Sequence, residues 1–128
     1  MNSLINFIKK TLNANADIVR ATGGRIYAFT TAQGDHTYPL IWWQIITTQV
    51  MALELGGVGQ AWQSEVQIDV FTRSVEASAR LAQTVMNAFN SAVKTDGILS
   101  SYSDQVVPAY ADEDETIHYA VRVMVNHK

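Results

Sequence analysis

Chemistry in this 128-residue chain would have to come from three histidines, a run of four carboxylates, a glycine-rich stretch or a pair of adjacent tryptophans. His36 falls in a turn, His118 on the polar side of an alternating segment, and His127 in a C-terminal end expected to fray. None stands at metal-ligand spacing from another, and a zinc site needs several ligands, so all three read as surface or loop residues. The run Asp112, Glu113, Asp114, Glu115 has charge enough for a divalent cation. A calcium loop, however, alternates ligands with spacers and places a Gly at its sharp turn, and this run does neither. A solvated acidic turn is the reading, with a metal shared between subunits as the alternative.

Gly56, Gly57 and Gly59 suggest a phosphate cradle at first sight. They lead into a strand rather than a helix, and no Lys followed by Ser or Thr is there to meet a phosphate, so a mobile loop fits better. No Ser sits in a Gly-x-Ser-x-Gly elbow, and Glu65, Asp69 and Glu76 have no visible partner along the chain. With no Cys, there is no disulfide framework, thiol nucleophile or Cys-based zinc site. The expectation is a protein without catalytic residues, cofactor or metal, and not an enzyme.

Trp42-Trp43 is the more informative pair. Neighbouring strand residues point to opposite faces, so one indole belongs in the core and the other outside it. Either helices cover both faces, or an aromatic is held out at a subunit contact, where Trp is favoured. Tyr27 and Phe29 raise the same question one strand earlier.

Composition sets the frame for these residues. Apolar side chains make up 48% of the chain and charged ones 16%, which suits one packed core and not a disordered chain. The nine Lys and Arg are scattered, with only Lys9 and Lys10 adjacent, and the net charge is −3. Affinity for nucleic acid rests on several cations facing phosphates, so specific nucleic-acid binding is not expected. No apolar run approaches the roughly 20 residues that span a bilayer, and no signal peptide opens the chain, so a soluble, intracellular protein is expected.

The elements that must position these residues follow from periodicity. Asn2 or Ser3 caps a first helix whose stripe is Leu4, Ile5, Ile8 and Leu12, with Phe7 flanking it. Asp17 caps a short second turn through Ile18 to Arg20, which Gly23-Gly24 stops. Arg25 to Thr30 is a short strand, and Gln33 to His36 a turn. Pro39 opens an apolar strand through Thr48. A loop from Glu54 to Gln60 leads to Trp62–Thr72, where Gln63, Glu65, Gln67 and Asp69 alternate with Trp62, Val66, Ile68 and Val70, one wet face and one dry. Ser74 caps a long helix to about Val93, with Leu81, Ala82, Val85, Met86, Phe89 and Ala92 on one side, before Asp96-Gly97. Ile98 to Pro108 supplies an irregular strand. His118 to Val125 closes the chain, Tyr119, Val121, Val123 and Val125 alternating with His118, Ala120, Arg122 and Met124. The order predicts one α+β domain over 1–128: a mostly antiparallel sheet of about four to five strands, with a long helix and a short N-terminal helix on one face.

This order of features resembles the small tail-completion and tail-terminator proteins of long-tailed phages and prophages, which include the lambda-type tail terminator. The similarity lies in a short N-terminal helix leading to Gly23–Tyr27 (Gly-Gly-Arg-Ile-Tyr), a Pro-led strand Pro39–Ile46 and a Gly-containing loop. Gln67-Ile68-Asp69-Val70-Phe71 then runs into a Ser-led helix with Glu76, Ala77, Ala79 and Leu81, and the strand Tyr119–Val123 follows. It covers nearly the whole chain and is strongest from Glu65 to Ala82. The long segment Thr47–Gln60 departs from the commoner pattern.

The resemblance implies a structural virion-assembly protein that forms a ring, typically a hexamer. Such a ring caps the tail tube, ends tube polymerisation and prepares head joining, at the head-proximal end of the tail after assembly in the host cytoplasm. Its partners are then itself, the tail-tube protein and the head–tail connector proteins, with no membrane. DNA passing through the lumen requires no basic patch. Trp42, Trp43, Gly56, Gly57 and Gly59 are candidate subunit contacts, and Asp112, Glu113, Asp114 and Glu115 are placed near the tube or lumen. A neck or head–tail joining protein is the alternative within phage assembly. A small-molecule-binding or catalytic α+β domain is the alternative from another class.

Overall fold

A computed structural model describes residues 2–29, 37–53, 60–92, 94–111 and 116–128. Its elements run α1 (Asn2–Asn13), α2 (Ala16–Thr22), β1 (Ile26–Ala28), β2 (Leu40–Leu53), β3 (Gln60–Thr72), α3 (Val75–Asn90), β4 (Ile98–Ala111) and β5 (Ile117–His127). The strands form one sheet in the order β1-β2-β3-β5-β4. β1 lies parallel to β2, and every other pairing is antiparallel. The fold is α+β, as the order of helix and strand patterns predicts.

Alternation decides which face the helices cover. Ile41, Trp43 and Ile45 on β2 stand opposite Val70, Ile68 and Val66 on β3, which in turn pair with Tyr119, Val121 and Val123 on β5. These residues share one face and form the core with the helix stripes. α1 contributes Leu4, Phe7, Ile8 and Leu12, and α3 contributes Leu81, Ala82, Val85, Ala88 and Phe89. The rings of Phe7 and Phe89 meet edge to face at 5.9 Å. Each fully buried Leu, Ile, Val or Phe stabilises this layer by about 1.5–3 kcal/mol. Phe7 belongs to the α1 stripe itself, whereas Ile5 sits at its margin, half-buried.

Polar groups on the covered face are satisfied in pairs. Ser78, fully buried on α3, bonds the Thr72 hydroxyl at 2.6 Å and donates to the Ile117 carbonyl at 2.9 Å. This one hydroxyl fastens the start of the helix to the end of β3 and the start of β5. At the other end, the Asn90 amide donates to the Ser103 carbonyl and accepts from the Ser103 N–H, while Ser101 donates to the Phe89 carbonyl.

Several boundaries differ from the sequence-based expectation. Asn15, not Asp17, caps α2: its side chain accepts from the N–H groups of Asp17 and Ile18 at 3.0 and 3.1 Å. Asp17 lies in the first turn, paired with Arg20. Gly23, at φ +65°, does end that helix, and a Cβ there would come within 2.8 Å of the Arg25 guanidinium. α3 stops at Asn90, short of Val93, where the bonds to β4 replace helical ones. β2 continues five residues past Thr48 to Leu53, paired as far as Leu53 opposite Gln60. Two register shifts, at Ile45/Thr47 and Val50/Ala52, disturb its period of two and hide the extension in the sequence.

Candidate interaction face of the sheet

The face of the sheet away from the helices is built by the residues that alternate with the core. On β2 and β3, Trp42 stands opposite Asp69 and Gln44 opposite Gln67. On β5, His118, Ala120, Arg122 and Met124 stand opposite Phe71, Asp69, Gln67 and Glu65. Among the described residues no helix covers this face.

Its end nearest β1 is aromatic. Phe29 meets Trp42 edge-on at 5.7 Å, Trp42 leans on Phe71 at 4.8 Å, and Phe71 stacks on the His118 imidazole at 4.4 Å and 17°. The row shields a carboxylate: Asp69 is 4% exposed and accepts from His118 Nε2 at 2.7 Å and from the Gln67 amide at 2.9 Å. Both bonds reach the same carboxylate oxygen, Oδ1. The Trp42 indole N–H, buried in the same row, has no hydrogen-bond partner among the described residues. Phe29 remains 46% exposed at the end of the row.

The opposite end is a ladder of amides and hydroxyls. Gln49 donates to Gln63, Gln63 to Asn126, and Asn126 to Ser100, crossing β2, β3, β5 and β4 in turn. Between the two ends, Arg122 pairs with Glu65 and also donates to Gln105. On edge strand β4, Val107 and Tyr102 are exposed, and the strand is broken by three register shifts. Irregularities of this kind blunt an edge against unwanted pairing.

The sequence-derived candidates divide accordingly. Trp42 and Trp43 do point to opposite faces. Trp43 is 7% exposed and belongs to the core cluster, so as a contact residue it is corrected to a packing residue. Trp42 lies on the uncovered face, next to Tyr27 on β1. Thr47–Leu53, expected to belong to a contact segment with the loop after it, is strand. Gly56, Gly57, Gly59, Asp112, Glu113, Asp114 and Glu115 lie outside the described residues, as does His36.

Two histidine environments escape a reading along the chain. His118 is not a bare surface residue, since Asp69 and Phe71 hold its ring. His127 is not frayed: it is 1% exposed, and its Nε2 lies 2.8 Å from the Ser64 hydroxyl. Glu65 and Asp69, without visible partners in the sequence, have Arg122 and His118. These partners lie about fifty to sixty residues apart, and only strand register could have revealed them.

Ser64–His127 faces the helices, with Nδ1 of the ring 3.3 Å from the main-chain oxygen of Lys128, while Asp69–His118 sits on the other face, stacked on Phe71. Among the described residues no group of three His, Cys, Asp or Glu side chains could hold a metal ion.

No family model matches the chain, and no curated protein matches it in sequence. Among solved structures, it is similar to a chain in the virion of a native gene transfer agent particle, at 14% identity and a TM-score of 0.73. The alignment covers 94% of this chain and 90% of that one. At this identity the likeness shows the fold.

Proposed function

We propose that this protein is a structural component of a phage-like particle, and that it works as a ring that caps the tail tube. The observation that carries the proposal is the likeness, over 94% of the chain, to a component of a gene transfer agent virion. The finer assignment to a tail terminator rests on the order of sequence features from Gly23 to Tyr27, Pro39 to Ile46, Glu65 to Ala82 and Tyr119 to Val123. In this reading the protein is not an enzyme. Its partners are further copies of itself, the tail-tube protein and the head–tail connector, and it resides at the head-proximal end of the tail.

The physical arrangement supports a self-assembling role. A ring needs two different, complementary patches on each subunit. The uncovered face supplies two unlike patches, the aromatic row from Phe29 through Trp42 and Phe71 to His118, and the irregular edge strand β4 that exposes Val107 and Tyr102. We assign one contact to the aromatic row, with Trp42 and Phe29 as its anchors, because large rigid aromatics dominate interface energetics.

The test is tube length. Purified tail-tube protein is polymerised with and without this chain, and the tubes are measured by electron microscopy. Short tubes with a ring at one end are expected. Unaltered tubes, together with binding to a portal or head-completion ring, would move the assignment to a neck protein.

A further inference from the structure

The arginines, scattered along the chain, are gathered by the fold. Arg20, Arg25, Arg73 and Arg80, every arginine except Arg122, stand around Tyr38 and Pro39 where β2 begins. Arg25 Nε donates to the Pro39 carbonyl at 3.0 Å, and the Arg73 guanidinium lies 4.8 Å over the Tyr38 ring. Arg20 on α2 and Arg80 on α3 line, with Pro39, Ala21 and Leu81, one groove of about 500 Å³ between the two helices. Two carboxylates accompany these groups among the described residues. Asp17 bonds Arg20 at 3.0 Å, whereas Glu76, one turn before Arg80, makes no ion pair with it. The corner is electropositive on a chain whose net charge is −3.

The chain also carries the opposite patch. Asp112, Glu113, Asp114 and Glu115 are its largest block of like charge. They join Ala111, the last residue of β4, to Thr116 before β5, and Ala111 pairs with Ile117. Four residues that close one strand onto its neighbour project by about two residues, roughly 7 Å. α3 separates this connection from the groove, because it turns Ser78 to the Ile117 carbonyl and Arg80, with Leu81, to α2. A helix is about 10 Å across, so the run falls short of the groove of its own copy.

From this placement we propose that the groove between α2 and α3 seats the acidic run of a second copy, whose carboxylates meet Arg20 and Arg80. The proposal rests on the ring reading and gives it a charge-matched contact. Each copy offers a groove to one neighbour and a run to the other, the head-to-tail arrangement from which rings close. Guanidinium forks suit carboxylates in geometry as well as charge. The corner is also continuous with the aromatic row assigned to a contact above, since Phe71 of that row lies two residues before Arg73. Opposite potentials fix the register of such a contact, and salt weakens it.

The experiment is a charge swap read by light scattering after size exclusion, with and without tail-tube protein. One variant carries Arg20→Glu and Arg80→Glu, the other Asp112→Lys and Asp114→Lys. In each alone, the concentration for half-assembly should rise about tenfold or more. Mixed in equal amounts, the two should recover the wild-type species, because every groove again meets a run of opposite charge. That recovery also shows that both variants fold. Raising NaCl from about 50 mM to about 500 mM should weaken wild-type assembly in the same direction. Single variants that assemble like the wild type, or a mixture that does not recover, overturn the groove contact and leave the ring reading standing. Loss of tail-tube binding alone, with self-assembly unchanged, makes the tube protein the occupant and also overturns it. A wild type that stays monomeric in both settings overturns the contact and the ring together.

Discussion

The two faces of the sheet are made by the same strands from alternate residues, yet they are held by different forces. On the covered face, Val66, Ile68, Val70, Val121, Val123 and Val125 are fully buried against α1 and α3. Their contribution is non-directional burial. On the uncovered face, the ladder from Gln49 to Ser100 and the pairs Glu65–Arg122 and Asp69–His118 are directional bonds between strands, and only the aromatic row resembles a core. The covered face therefore fixes the fold, and the uncovered face is free to be specified by what it meets.

Substitutions can break that comparison, beginning with the largest effect. Phe89→Ala on the covered side should cost about 3–5 kcal/mol in urea unfolding. Trp42→Ala on the uncovered side should cost clearly less, since each of its aromatic contacts is worth about 0.5–1.5 kcal/mol beyond burial, while weakening self-association. Equal losses in the two variants would mean that the aromatic row is a second core.

Ser78→Ala sharpens the role of polar groups under the helices. It leaves the Ile117 carbonyl and the Thr72 hydroxyl each short of a bond, and the same unfolding assay should register about 1–3 kcal/mol.

The pH dependence follows from His127, whose folded-state pKa is lowered by burial. Above 6.5 the ring is neutral in both states and stability is complete. As the pH falls below that value the unfolded chain takes up the proton first, so stability declines until the folded-state pKa is reached. Urea midpoints from pH 7.5 to 5.0 should drop for the wild type and drop less for His127→Gln.

The smallest effect belongs to Arg20→Ala. Its pair with Asp17 is exposed on both sides, at 76% and 71%, and removal should change stability by less than about 0.5 kcal/mol.

The covered face was legible because burial imposes period. The alternation of Val66, Ile68 and Val70, that of Val121, Val123 and Val125, and the stripe of α3 each identify the right face in the right element. β2 was legible only as far as Thr48, because two bulges disturb its alternation. The uncovered face was legible only as polar, since which partner Asp69 or Glu65 meets depends on a register between distant strands. The buried seat of His127 was not legible for a related reason: position in the chain says nothing of the β3 hydroxyl 63 residues away that receives it. The parallel placement of β1 beside β2 left no sequence signal that we can identify.

The central claim is self-assembly through the uncovered side of the sheet. Light scattering coupled to size exclusion, across a concentration series of the wild type and Trp42→Ala, alone and mixed with tail-tube protein, tests it most directly. The account predicts a wild-type species near six subunits, formed alone or on the tube protein, and its loss in a folded Trp42→Ala variant. A wild type that stays a monomer or a fixed dimer in both settings would contradict it.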